Sequence, residues 1–90
     1  MRYSKSDLEI FGENIRLLRK VRRLSQKEMA KIAGISLYCL RKAEQGIFTD
    51  TLGTDSIIRI SRHFHLRPAT LFTPQSKWNI SLLLNGEEDI

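Results

Sequence analysis

Apolar positions near the start of the chain recur at helical spacing. Leu8, Phe11, Ile15 and Leu18 stand three or four residues apart, which lines them along one side of an α-helix. Ser6 with Glu9 three residues on has the form of a capping box, so this helix is expected from Asp7 to about Arg22. Gly12 inside it costs about 1 kcal/mol relative to Ala, which points to a close approach by another element. Ser25 and Glu28 repeat the capping pattern for a second helix ending near Ala33. Gly34 suits a left-handed turn residue, and Ser36 can cap a third helix. Thr54 is the expected cap of a fourth, in which Ile57, Ile60, Ser61 and Phe64 share a face and His65 takes the stop position. Pro68 fits the first turn of a short fifth helix. Past Thr73, Trp78, Ile80, Leu82, Leu83 and Leu84 are apolar, but the run is too short for its period to separate helix from strand.

The third helix divides into two arcs. At roughly 100° per residue, setting Leu37 at zero puts Arg41, Gln45, Tyr38 and Lys42 at roughly 40°, 80°, 100° and 140°. Leu40, Ala43 and Glu44 fall at roughly 240° to 340° and are expected to face the core. The expected fold class is therefore all-α, a compact five-helix domain over residues 1–73 followed by a tail over residues 74–90 of open structure. The apolar stretch from Trp78 to Leu84 is a candidate dimerisation segment, and folding back over the domain's own core is an equal alternative.

The stretch from about Ile15 to Phe72 resembles the phage repressor and Cro family of helix-turn-helix domains, the xenobiotic-response-element type. The resemblance rests on Leu18-Arg19, Ser25-Gln26, Ala30, Gly34, Ala43-Glu44-Gln45-Gly46, the helix from Asp55 to Phe64 and the following Leu66-Arg67-Pro68-Ala69-Thr70-Leu71-Phe72. It implies a repressor-like DNA-binding domain whose third helix enters the major groove. It also implies that Gln26 bonds a phosphate while bracing the next helix, and that Arg19 and Glu44 form a buried structural salt bridge. The chain departs from the family at three places. Leu37 and Tyr38 stand where polar residues usually open the recognition helix. The loop from Ile47 to Gly53 contains no Lys or Arg. Ala43 replaces a larger aliphatic residue, leaving a gap for Ile47 or Phe48 to fill.

Charge sharpens the picture. The net charge of the 90 residues is +5, and from Arg16 to Lys42 nine cations stand against the single acid Glu28. Such a block can be no more than a solvated face, but its coincidence with the two crossing helices favours a polyanion. Asp7, Glu9 and Glu13 lie early in the first helix, where they complement its dipole. Lys27, Arg41 and Lys42 can neutralise phosphates, and Arg41 can alternatively grip a guanine edge. Tyr38 offers a hydroxyl for phosphate and a ring for a thymine methyl, Leu37 only apolar contact. The DNA-binding set is thus Gln26, Lys27, Ser36, Leu37, Tyr38, Arg41, Lys42 and Gln45.

Other chemistry is poorly supplied. Cys39 is the single cysteine, read as a small half-buried helix residue, and its isolation fits a reducing compartment. His63 and His65 point to different sides of a helix without a Cys or carboxylate cluster beside them, so no metal, cofactor or catalytic residue is expected. No apolar run approaches the roughly 20 residues of a membrane span, and the start lacks a secretory stretch, so a cytoplasmic location is expected. The leading expectation is a sequence-specific double-stranded DNA-binding transcriptional regulator of the repressor kind, acting as a homodimer and not an enzyme. The alternative is a protein-interaction module on a repressor-like fold, as in an antitoxin or accessory subunit. Nonspecific packaging of nucleic acid is a third reading, disfavoured by the acids at both ends.

Overall fold

The computed structural model describes residues 5–49 and 52–78, with side chains from residue 7 onward. Among the described residues there are four α-helices, α1 (Lys5–Val21), α2 (Gln26–Ala33), α3 (Leu37–Glu44) and α4 (Thr54–His63), and no strands. Two 3₁₀ segments follow, Pro68–Phe72 and Gln75–Lys77. The compact all-helical class expected from the sequence is therefore present. The fifth expected helix is a 3₁₀ segment instead, with Pro68 at its start as anticipated.

Two of the expected caps are displaced. Helix α1 begins at Lys5, so Ser6 lies within its first turn rather than ahead of it. Helix α4 takes extended Gly53 as its N-cap, without a side-chain bond, and Thr54 is its first helical residue. The caps of α2 and α3 stand where the sequence puts them. Ser25 Oγ accepts from the Glu28 amide at 3.0 Å while Glu28 Oε1 accepts from the Ser25 amide at 2.8 Å. Ser36 Oγ accepts from the Cys39 amide at 3.0 Å. The Ser25 backbone N–H, then its hydroxyl, hold the exposed Glu28 carboxyl below the ordinary glutamate range.

All four α-helices end the same way. Arg23, Gly34, Gly46 and His65 adopt φ between 56° and 82°, and each precedes an aliphatic residue. The amides of those residues, Leu24, Ile35, Ile47 and Leu66, donate back five positions to Arg19, Ala30, Lys42 and Ser61 carbonyls at 2.8–3.0 Å. This is the Schellman closure, which satisfies carbonyls that a helix end otherwise leaves unpaired.

Helix α1 packs on α3 and on the Pro68–Phe72 segment, while α2 packs on both α3 and α4. Phe11, Ile15, Leu18, Met29, Leu40, Ile60, Phe64 and Leu71 are fully buried at the centre. Burial of each such side chain contributes roughly 1.5–3 kcal/mol. The apolar face predicted for α4 is the buried one, comprising Ile57, Ile60, Ser61 and Phe64. Gly12 sits where α1 meets the end of α3, and a Cβ built there would lie 2.5 Å from the Ala43 carbonyl oxygen. A small residue on each helix lets the two backbones close up. Ile47 is exposed, whereas Phe48 packs on the core: its ring meets Phe11 edge-on at 5.2 Å, and Phe72 stacks on the same Phe11 at 5.0 Å.

Asn14 is a buried polar residue that the sequence reading passed over. Its Nδ2 donates to the carbonyls of Leu71 and Thr73, each at 2.8 Å, and so ties the middle of α1 to the end of the 3₁₀ segment. Thr73 O also accepts from Trp78 Nε1 at 3.0 Å, and half-buried Trp78 packs against the core. The remainder of the candidate dimerisation segment, residues 79–84, and the rest of the tail to residue 90 lie outside the described residues.

Candidate functional site

Helix α3 stands behind a tight turn made by Gly34, Ile35 and Ser36, and its two faces separate as the rotation predicts. Leu40 and Ala43 are fully buried, while Arg41 and Gln45 are exposed and Tyr38 shows 65% of its surface. Leu37 and Lys42 are half-buried flanks of this ridge. Lys42 Nζ lies 5.5 Å from the centre of the Tyr38 ring, one helical turn away, a cation–π arrangement that presents charge and ring together. Cys39 faces inward, buried rather than half-buried, with Sγ 2.8 Å from Thr49 Oγ1.

The ridge is held from behind by a chain of polar contacts. Arg19 Nε donates to Glu44 Oε2 at 2.6 Å and Nη2 to Oε1 at 3.1 Å, with the two side chains only 14% and 5% exposed. The paired geometry is the bidentate fork that suits Arg to carboxylate. Arg19 Nη1 also donates to the Leu24 carbonyl at 3.2 Å, so one guanidinium secures the exit from α1 and the end of α3 together. Gln26, the first residue of α2, donates its Nε2 to Glu44 Oε1 at 3.1 Å. Its Oε1 accepts from Arg41 Nε at 3.3 Å. Sequence reasoning joined Arg19 to Glu44; the Gln26–Arg41 bond, between residues on successive helices, it did not foresee.

These residues surround a notch of about 270 Å³ lined by Arg16, Arg19, Gln26, Arg41, Glu44 and Gln45. Lys27 and Ser36 are exposed nearby in sequence, with the Ser36 hydroxyl engaged in its cap. The cationic block is not one continuous surface. Arg22 turns its guanidinium over the buried Phe64 ring, 5.4 Å from its centre, and serves the core instead. In the other direction, α4 contributes a cation that the helix pair alone does not reveal: the Arg59 side chain lies over Gly34 and pairs with Asp55 at 3.1 Å.

An apolar groove of about 480 Å³ lies elsewhere, among Asp7, Thr54, Ile57, Pro68, Ala69 and Phe72, without any residue of α3. His63 and His65 are both exposed, His63 edge-on to Phe64 and His65 in the left-handed turn after α4. Among the described residues no helix is long and apolar enough to cross a membrane. No family model matches this chain, and no curated protein or solved structure is significantly similar to it.

Proposed function

We propose that the chain is a sequence-specific double-stranded DNA-binding transcriptional regulator, with α2 and α3 as its helix-turn-helix. The observation that carries this reading is the α3 ridge. Tyr38, Arg41 and Gln45 project from a short helix whose opposite side is fully buried and whose end is clamped by Arg19 and Glu44. A helix presented in this way, with Lys42 on its own flank and Arg16 beside Arg41 in the notch, has the width and charge to enter a major groove. Because one short helix reads few bases, the regulator acts as a homodimer on inverted half-sites, and it represses by occupying its operator. A cytoplasmic protein with the repressor-like fold accords with the reducing environment its lone cysteine fits.

A salt titration on a duplex selected from a random pool and on an unselected duplex tests the proposal. It predicts affinity that falls steeply with salt on both and a ratio of about 10³ or more between them. Absence of binding to either duplex at low salt contradicts it.

A second reading keeps the fold and exchanges the partner. Exposed Tyr38 and Ile47, with half-buried Leu37 between cations, also suit a protein surface, as in an antitoxin or accessory subunit. That reading predicts no selectable duplex.

A further inference from the structure

We propose that the notch between α1 and the end of α3 is an oxyanion site that takes a DNA backbone phosphate. Arg41 belongs to this site and not to base reading. The inference rests on the DNA-binding reading above and divides its residues by role.

Three arginines and one glutamate line the notch. The carboxylate is committed: Glu44 Oε2 receives Arg19 Nε, and Oε1 receives both Arg19 Nη2 and Gln26 Nε2. Among the described residues neither Arg16 nor Arg41 pairs with a carboxylate, so both bring uncompensated charge to the lining of the notch. The direction of the chain of bonds is fixed by chemistry. A carboxylate only accepts, so Gln26 must turn its NH₂ towards Glu44, which leaves its carbonyl oxygen for Arg41 Nε. The buried ion pair thus sets an exposed arginine on the α1–α2 side of α3. With Nε occupied by a neutral acceptor, Arg41 retains its charge and its terminal N–H groups, which match a phosphate better than any single lysine would. Exposed Tyr38, with Lys42 coupled to its ring from the half-buried flank, remains as the base-facing part of the ridge.

Two arms test this. In the first, inorganic phosphate is titrated into the wild-type protein while the arginine Nε–Hε resonances are followed; the Arg16 and Arg41 signals should shift together. In the second, Arg41→Ala and Arg41→Lys, both checked for unchanged melting, are compared on selected and random duplexes. Arg41→Ala should weaken both duplexes by the same factor, on the order of tenfold, lower the salt slope by about one and leave the selected sequence unchanged. Arg41→Lys, which keeps the charge but not the fork, should restore the salt slope and recover part of the loss. Loss of preference at one base pair with an unaltered salt slope would show Arg41 reading a base and overturn the proposal, as would arginine signals indifferent to phosphate. If the wild type binds no duplex but both signals respond to phosphate, the oxyanion site stands and the DNA-binding reading fails.

Discussion

Glu44 carries more of this molecule than its single charge suggests. Its two oxygens bind Arg19 from α1 and Gln26 from α2 while its own backbone closes α3, so three helices meet at one carboxylate. A buried, paired charge is costly to orphan because the partner left behind loses both its water and its counter-ion. Glu44→Ala is therefore expected to lower unfolding free energy by about 3 kcal/mol, read from the urea midpoint, and to weaken any duplex binding in parallel as Gln26 and Arg41 lose their anchor. A loss below about 0.5 kcal/mol would mean the pair is only a surface contact. The Arg19–Glu44 pairing was legible in the sequence through its resemblance to a known pattern. Asn14 was not, because its partners lie at Leu71 and Thr73, and nothing in the residues around position 14 foretells them. The Gln26–Arg41 bond was hidden for a similar reason: it needs the angle between α2 and α3 as well as the identity of each residue.

At the scale of elements, local chemistry decided the ends and packing decided the rest. Caps written in three consecutive steps of sequence, Ser25 to Glu28 and Ser36 to Cys39, are found where they were expected. Thr54 misled because a β-branched hydroxyl next to a glycine serves equally as cap or first helical residue, and extended Gly53 took the outer place. The four Schellman closures show a further regularity with a consequence for stability. Two of the left-handed positions are glycine, while Arg23 and His65 place a Cβ in a region that disfavours it. Arg23→Gly and His65→Gly should each raise stability by about 0.5–1 kcal/mol, measured as an upward shift of the denaturation midpoint. A fall in either midpoint would show that the side chain contributes more than its backbone costs. Gly12 works in the opposite sense. Gly12→Ala improves helix propensity, yet its new methyl would meet the Ala43 carbonyl, a backbone atom unable to swing aside. The variant should lose about 2 kcal/mol or more, and thermal melting checks the sign.

The molecule as a whole separates three tasks by region. All four helices and the Pro68–Phe72 segment share the core, α2 and the Arg19–Glu44 pair hold α3 in place, and α3 turns one face outward. The spacing of apolar positions pointed correctly to a helical fold and the charge count to a cationic chain, but neither could apportion the cations. Arg22 went to the core over Phe64, Arg19 to Glu44, and Arg16 and Arg41 to the notch, a division that exists only once the chain is folded. The central claim is that the exposed face of α3 meets DNA bases while the notch beside it meets the backbone. Backbone amide shifts on addition of a selected duplex test it most directly. The account predicts the largest changes from residue 36 to residue 46 and at Gln26 and Lys27, with α4 little affected. Changes concentrated on α4 or around the apolar groove, with α3 silent, would contradict it.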